Sequence, residues 1–265
     1  MTESKESKNY TSQIIEDIKI WKNGSLFSIK TTKDASYDFQ SGQFARLGLI
    51  DPTRTVNPLI WRAYSIVSAP HENFLEFYYT IVNKGEFSKI LLNLEQKDHI
   101  FIEKKAYGFL TINQFLGPNI QKQKNKLWLI ATGTGLSAYI SILRDHNTWK
   151  YFDKVILLHS TKFLDELSYK KELEILSITN KRFKYFPITT REKSSILSES
   201  RITSLVMNGN LEELTKETLD PKSSKIMLCG NPTMILEMRR ILYDRGFYTS
   251  KQNIAGNLAM ERYWI

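Results

Sequence analysis

The chain has 265 residues, room for one large domain or two ordinary ones, with 42% hydrophobic and 25% charged residues, as in globular proteins. No apolar run reaches the roughly eighteen residues a membrane-spanning helix needs. A single cysteine, Cys229, excludes an internal disulfide or a four-thiolate cluster, and His71, His99, His146 and His159 are too scattered to form a metal site, so a metal-free cytoplasmic protein is expected.

The first eleven residues are polar and carry acids without the apolar core of a signal peptide, and they read as a disordered lead. From there to about Lys105 the chain reads as short strands separated by turns. Ile14–Trp21 runs through Asn23-Gly24 into Leu26–Thr31, a two-residue hairpin signal. Gly42–Leu49, Trp61–Ser68, Phe74–Val82 and Asp98–Glu103 complete six strands, the pattern of a small antiparallel barrel. Within Trp61–Ser68, Arg62 and Tyr64 share a strand face roughly 7 Å apart. Arg62 offers a planar fork of donors to phosphate oxygens, Tyr64 a flat stacking surface with a hydroxyl, and Ser65 a second hydroxyl beside them. Between the last two strands Gly85-Glu86-Phe87-Ser88 opens a helical pattern through Leu94, and a helix start favours anions.

After about Lys126 strands alternate with helices. Leu127–Ala131 is a continuous apolar run, as a buried parallel strand requires. It breaks at Thr132-Gly133-Thr134-Gly135 and continues as a helix over Leu136–Arg144. That is a phosphate-binding corner, although it lacks the third glycine of a full dinucleotide fingerprint. Lys154–Ser160, Phe183–Thr189 and Lys225–Pro232 read as further strands, with helices over Leu164–Ile178 and Met234–Tyr243. The fold class is therefore an antiparallel barrel followed by a doubly wound parallel sheet, divided here as residues 1–120 and 121–265. Ligands in such sheets lie beyond the carboxyl ends of the strands, which nominates Thr132, Gly133, Lys162, Arg191, Gly230 and Asn231. The two halves differ in charge: residues 1–120 carry 14 Lys and Arg against 13 Asp and Glu, residues 121–265 carry 23 against 15. A basic second half suits anionic cofactors or acidic protein partners. Nucleic acid is disfavoured, because no compact basic run with interleaved aromatics occurs.

Arg62-Ala63-Tyr64-Ser65, Gly133-Thr134-Gly135, Cys229-Gly230-Asn231-Pro232 and the tail Glu261-Arg262-Tyr263-Trp264 occur in the order and spacing that resemble the ferredoxin/flavodoxin–NADP+ reductase family, its bacterial branch above all. The resemblance implies bound FAD and NADP(H). Arg62 would hold the FAD pyrophosphate, Tyr64 would cover the isoalloxazine, and Ser65 would lie near flavin N5. Tyr78, Val82 and the corner Gly85, Phe87 and Ser88 would line the adenylate and phosphate side. Thr132, Gly133 and Gly135 would receive the NADP pyrophosphate and nicotinamide, with Cys229, Gly230, Asn231 and Pro232 beside the nicotinamide. Arg191 and Arg201 match the family's two arginine positions for the 2′-phosphate, and Tyr169 would neighbour the adenosine.

Lys162 stands where bacterial relatives usually carry a third arginine, and lysine loses the two-point grip on phosphate. Trp264 resembles the terminal aromatic that stacks on the flavin and must move for hydride transfer. The extra Ile265 leaves open an exchange of roles with Tyr263. Glu261 matches a carboxylate position, with a proton-handling role open. The implied activity passes a hydride from NADPH to FAD and single electrons on to an acidic flavodoxin or ferredoxin, in a monomer. An NAD(P)H-dependent reductase of quinones, ferric chelates or oxygen, and a non-catalytic FAD-binding subunit, are the alternatives.

Overall fold

Six strands, β1 (Tyr10–Trp21), β2 (Leu26–Thr32), β3 (Phe44–Ile50), β4 (Leu59–Ser65), β5 (Phe74–Thr80) and β6 (His99–Glu103), pair antiparallel in the order β4-β3-β6-β1-β2-β5 in a computed structural model that describes residues 9–82, 84–116, 125–192, 201–250 and 255–262. The two edges meet at a bridge between Ile66 and Phe77, with the Val67 N–H 2.8 Å from the Glu76 carbonyl, so the sheet closes on itself. Ile15, Ile29, Leu47, Phe77, Ile100 and Ile102 fill the interior, and the short helix α1 (Glu86–Leu91) adds Phe87 and Leu91 to the same core.

Two expectations for this half are corrected. Tyr10 and Thr11 are not part of a disordered lead: they open β1, paired with Glu103 and Ile102 of β6. The Tyr10 ring packs 5.4 Å from Trp61 and 5.3 Å from Phe101, partners too distant in sequence for a local pattern to reveal. The turn at Asn23-Gly24 is not a two-residue hairpin, because Trp21 pairs with Leu26 and leaves residues 22–25 as the connection. The Ser25 N–H closes on the Lys22 carbonyl at 2.9 Å, with Gly24 at φ +80° supplying the left-handed step.

The second half is an all-parallel sheet of β7 (Lys126–Thr132), β8 (Lys154–Thr161), β9 (Phe183–Thr189), β10 (Ser224–Gly230) and β11 (Leu258–Arg262), in the order β11-β10-β7-β8-β9. Its helices are α2 (Leu136–Arg144), α3 (Thr148–Tyr151), α4 (Lys170–Thr179), α5 (Ile202–Met207), α6 (Asn210–Thr215) and α7 (Pro232–Asp244). Both faces are covered, which is why β7 reads as an unbroken apolar run. Leu127, Leu129 and Ala131 pack with α2 and α4, while Trp128 and Ile130 pack with α5, α6 and α7. At the opposite edge from the ligand side, Lys126, Lys154 and Lys184 converge on buried Glu217; burial opposes its ionisation, but their hydrogen bonds hold its pKa down at about 2. Among the described residues no helix is long and apolar enough to cross a membrane.

Helix α2 lies between the sheet and the barrel. Ser137 and Ser141, four apart and so on one face, donate to the Tyr78 carbonyl at 3.2 Å and the Ser68 carbonyl at 2.7 Å. At its C-terminus Arg144 bonds Glu76 of β5 at 2.7 Å and Glu172 of α4 at 2.8 and 2.9 Å. The helix expected over Leu164–Ile178 is broken by the same contact. A single 3-10 turn, Leu164–Glu166, is followed by Tyr169 at φ +59°, and only then by α4. The barrel draws this segment in, with Tyr78 Oη on Ser168 Oγ at 2.9 Å and Tyr169 Oη on Glu76 at 2.7 Å. The six-stranded sheet ends at Glu103 and the parallel sheet begins at Lys126; the boundary expected at 120/121 lies outside the described residues.

Candidate cofactor and active site

On the barrel, register places Tyr64 opposite Ala45 and Ser65 opposite Phe44. Arg62 is exposed; its Nη1 donates to the Trp61 carbonyl at 2.7 Å, and among the described residues no carboxylate pairs with it. Tyr64 meets Tyr79 edge-on at 5.7 Å and Phe87 at 5.8 Å. Burial pushes its phenol well above the ordinary range, so it stays a neutral donor. Because Phe87 belongs to α1, its contact with Tyr64 sets the Gly85–Ser88 corner beside the Arg62 face. There Ser88 Oγ accepts the Val82 N–H at 3.1 Å and keeps its own proton to donate, while the Val82 side chain is 37% exposed. An unpaired guanidinium, a neutral phenol and a hydroxyl donor on one rim suit a ligand that is anionic at one end and aromatic at the other.

Tyr78 and Tyr169, expected at FAD and at the adenosine, are both buried in the domain contact, edge to face at 5.5 Å, with the Tyr78 hydroxyl on Ser168 and the Tyr169 hydroxyl on Glu76. Alternation along β5 puts Tyr78 on the outer barrel wall, where α2 and the segment before α4 cover it.

On the sheet, β7 ends at Thr132 and turns through Gly133–Gly135 into α2. A Cβ on Gly135 would lie 2.4 Å from the Cys229 carbonyl oxygen. One on Gly230, at φ +125°, would lie 2.3 Å from Thr132 Oγ1. Glycine is required at both because the ends of β7 and β10 touch backbone to backbone. Gly133, at φ +53°, faces open space. Thr132 Oγ1 accepts the Asn231 N–H at 2.8 Å, while Asn231 Oδ1 caps α7 by accepting from Thr233 and Met234. Asn231 and Pro232 thus start a helix rather than end a strand: Asn231 is the cap and Pro232 the first helical residue, where its missing N–H costs nothing.

Lys162 and Arg191 come together beyond the ends of β8 and β9, the Arg191 N–H bonding the Lys162 carbonyl at 3.0 Å. Arg201 occupies the N-cap position of α5, its side chain making no cap bond, after residues 193–200, which lie outside the described residues. Three residues that sequence reasoning passed over support this rim. Glu166 accepts the Lys162 N–H at 2.7 Å and the Phe163 N–H at 3.3 Å, and it pairs with Lys22 of the barrel at 2.6 Å. Fully buried His159 meets the Gly133 carbonyl through Nε2 at 3.0 Å; burial lowers its pKa to about 4 and keeps it neutral. The one signal in the sequence was a polar residue closing the apolar run Val155–Leu158.

Barrel and sheet meet at Glu261. The segment read as tail is β11 up to Arg262, a strand parallel to β10 with Glu261 opposite Cys229. A Cβ on Gly108, a barrel loop residue, would lie 3.0 Å from Glu261 Oε2 and 3.0 Å from the Phe44 ring. Phe44, the register partner of Ser65, and Glu261, the register partner of fully buried Cys229, thus lie on either side of Gly108. Burial raises the Glu261 carboxyl to about 7. Tyr263 and Trp264, with Ile265, lie outside the described residues.

A closed antiparallel barrel joined to a parallel sheet, with an Arg-x-Tyr-Ser strand in the barrel and a glycine corner at the end of the sheet's central strand, defines a two-domain dinucleotide-dependent oxidoreductase fold. The oxidoreductase NAD-binding domain family matches residues 129–240. The chain is 36% identical over 256 residues to a flavodoxin/ferredoxin–NADP reductase of Buchnera aphidicola, covering 96% of this chain and 98% of that one. It is 31% identical to a ferredoxin–NADP reductase of Azotobacter vinelandii over 92% of this chain and 93% of that one. A ferredoxin NADP+ reductase from Neisseria gonorrhoeae, solved with bound FAD and NADP, superposes with a TM-score of 0.88 at 32% identity, covering 97% of this chain and 99% of that one. The chain belongs to the flavodoxin/ferredoxin–NADP reductase family.

Proposed function

We propose that the protein is an FAD-dependent oxidoreductase that moves electrons between NADPH and a one-electron carrier protein, flavodoxin or ferredoxin. The observation that carries this reading is the contact of barrel and sheet at Gly108, where Phe44, strand partner of Ser65, lies beside Glu261, strand partner of Cys229. FAD, when bound, accepts electrons in a pair and passes them on singly. Arg62 and the Gly85–Ser88 corner hold its phosphates, and Tyr64 and Ser65 orient its ring. Thr132, Gly133, Gly135 and Gly230 form the floor for the pyridine nucleotide, and Lys162, Arg191 and Arg201 receive the 2′-phosphate. The carrier is acidic, drawn by the excess of Lys and Arg in residues 121–265, and the enzyme is a cytoplasmic monomer whose lone thiol is buried.

The test is NADPH-driven reduction of a purified acidic flavodoxin. Turnover is expected to fall steeply as salt rises, because steering between exposed charges is screened beyond a Debye length of about 10 Å at 0.1 M. Turnover with quinone or ferric chelate but none with the carrier would sink the reading.

Glu261 has its own signature. Its raised pKa means that the fold favours the protonated carboxyl, so ionisation weakens the folded state as pH climbs from about 4.5 through about 7. Glu261→Gln is therefore expected to match the wild type below about pH 4.5 and to exceed it in stability above pH 7, by at most about 3 kcal/mol. In turnover, a carboxylate that forms near pH 7 favours the positive charge that develops as hydride leaves the nicotinamide. The wild-type rate is expected to rise through pH 7, and the variant to be flat across that range. An unchanged inflection in the variant would remove Glu261 from the proton account.

A further inference from the structure

His159 stands out from its strand. Val155, Ile156, Leu157 and Leu158 are wholly buried and apolar, and His159 is equally buried yet polar. Its Nε2 lies 3.0 Å from the Gly133 carbonyl, and Nδ1 has no hydrogen-bond partner among the described residues. A carbonyl can only accept, so Nε2 carries the proton and Nδ1 is bare. Burying an acceptor without a partner is costly. A residue retained for packing alone would be leucine, and the single bond to Gly133 is what the imidazole adds.

That bond fixes a peptide plane. The peptide from Gly133 to Thr134 is trans, so its C=O and N–H point in opposite directions. With the carbonyl drawn inward to His159, the Thr134 N–H faces outward, beyond the carboxyl edge of the sheet. As one of the first amides of a helical segment it has no acceptor within that segment. Few other groups restrain the plane: Gly133 sits at φ +53° in open space, and the other donor to its carbonyl, the Leu136 N–H, is shared with Thr134 O. A glycine so placed turns over readily.

We propose that His159 is a positioning residue for the pyridine nucleotide, holding the Gly133 carbonyl so that the Thr134 N–H is aimed at the dinucleotide's pyrophosphate. The proposal rests on the reading of this corner as the nucleotide site. His159 touches neither substrate nor flavin; it acts through the turn.

The test uses the holoenzyme, with ligand binding followed by the change in flavin absorbance. His159→Met, similar in bulk but without a donor, is expected to weaken NADP+ binding about tenfold, the worth of one hydrogen bond. Binding of 2′-phospho-AMP, which has no pyrophosphate, is expected to change by less than about threefold on the same scale. His159→Gln, whose amide can donate to the same carbonyl, restores NADP+ binding. Thr134→Glu places a negative charge at the corner and controls for the underlying reading. If it abolishes NADP+ binding while His159→Met leaves binding intact, the positioning role is overturned and the corner stands. If Thr134→Glu also leaves binding intact, the corner reading itself fails, and the proposal with it. Equal weakening of both ligands by His159→Met would mark a loosened fold and overturn the proposal. Should His159→Met not fold, nitrogen NMR of the wild type decides: the imidazole proton on Nε2 and a Thr134 amide signal that moves with NADP+ support the proposal, and a proton on Nδ1 overturns it.

Discussion

Gly230→Ala is expected to cost at least about 3 kcal/mol in stability and to lower kcat/KM for NADPH about a hundredfold, with flavin content unchanged. At φ +125° an alanine is strained whatever its surroundings, and here the added carbon would lie 2.3 Å from Thr132 Oγ1 and 2.5 Å from the Thr132 carbonyl oxygen. A rotamer change of Thr132 can move Oγ1 but not the carbonyl oxygen, so the backbone itself must shift. The ends of β7 and β10 must part, which breaks the 2.8 Å bond from the Asn231 N–H to Thr132 and shifts the start of α7. A displacement of about an ångström suffices for a hundredfold loss when the reacting groups must be held in line. The barrel is not touched, so the flavin stays. Thermal denaturation alongside steady-state kinetics checks it, and a variant with wild-type kcat/KM would show that this strand end is not where the nicotinamide lies.

Removing two cations is the second large effect. Arg191→Ala with Arg201→Ala is expected to raise KM for NADPH on the order of a hundredfold while changing KM for NADH little, because charge-assisted bonds to phosphate contribute about 1.5–3 kcal/mol each. Arg191 is exposed beyond β9, its backbone N–H tied to the Lys162 carbonyl, so truncating the side chain leaves the loop in place. Lys162 remains as a single point charge whose loop is organised by Glu166. With Lys22 2.6 Å away, Glu166 is neutralised by the barrel rather than left to repel a phosphate. Steady-state comparison of the two nucleotides reads the result, and an equal loss for both would place the 2′-phosphate elsewhere.

Much of the scaffold was legible because burial writes itself into periodicity. The bounds of α2 and β9 emerge as read, since each is set by a clear start, a clear stop and an uninterrupted pattern between. β11 was not legible: Leu258 and Ala259 are buried but Met260 and Glu261 only partly so, and a five-residue edge strand of mixed polarity has no signature of its own. The same limit governs Tyr78 and Tyr169. Alternation says which face of a strand a side chain occupies but not which other domain will cover that face. Arg62, Tyr64 and the two glycine corners could be nominated from spacing, because their chemistry is local. Glu261, His159 and the Lys22–Glu166 pair could not be given their roles, because each acts through a neighbour contributed by another element.

The central claim is that the Arg62–Tyr64 rim of the barrel and the glycine corner of the sheet serve one flavin and one pyridine nucleotide. The most direct measurement is the visible spectrum of the purified protein, before and after anaerobic addition of NADPH. The account predicts a yellow protein whose flavin absorbance is bleached by NADPH and returns when oxidised flavodoxin is added. Protein that is colourless and takes up no added FAD, or a bound flavin that NADPH leaves oxidised, would contradict it.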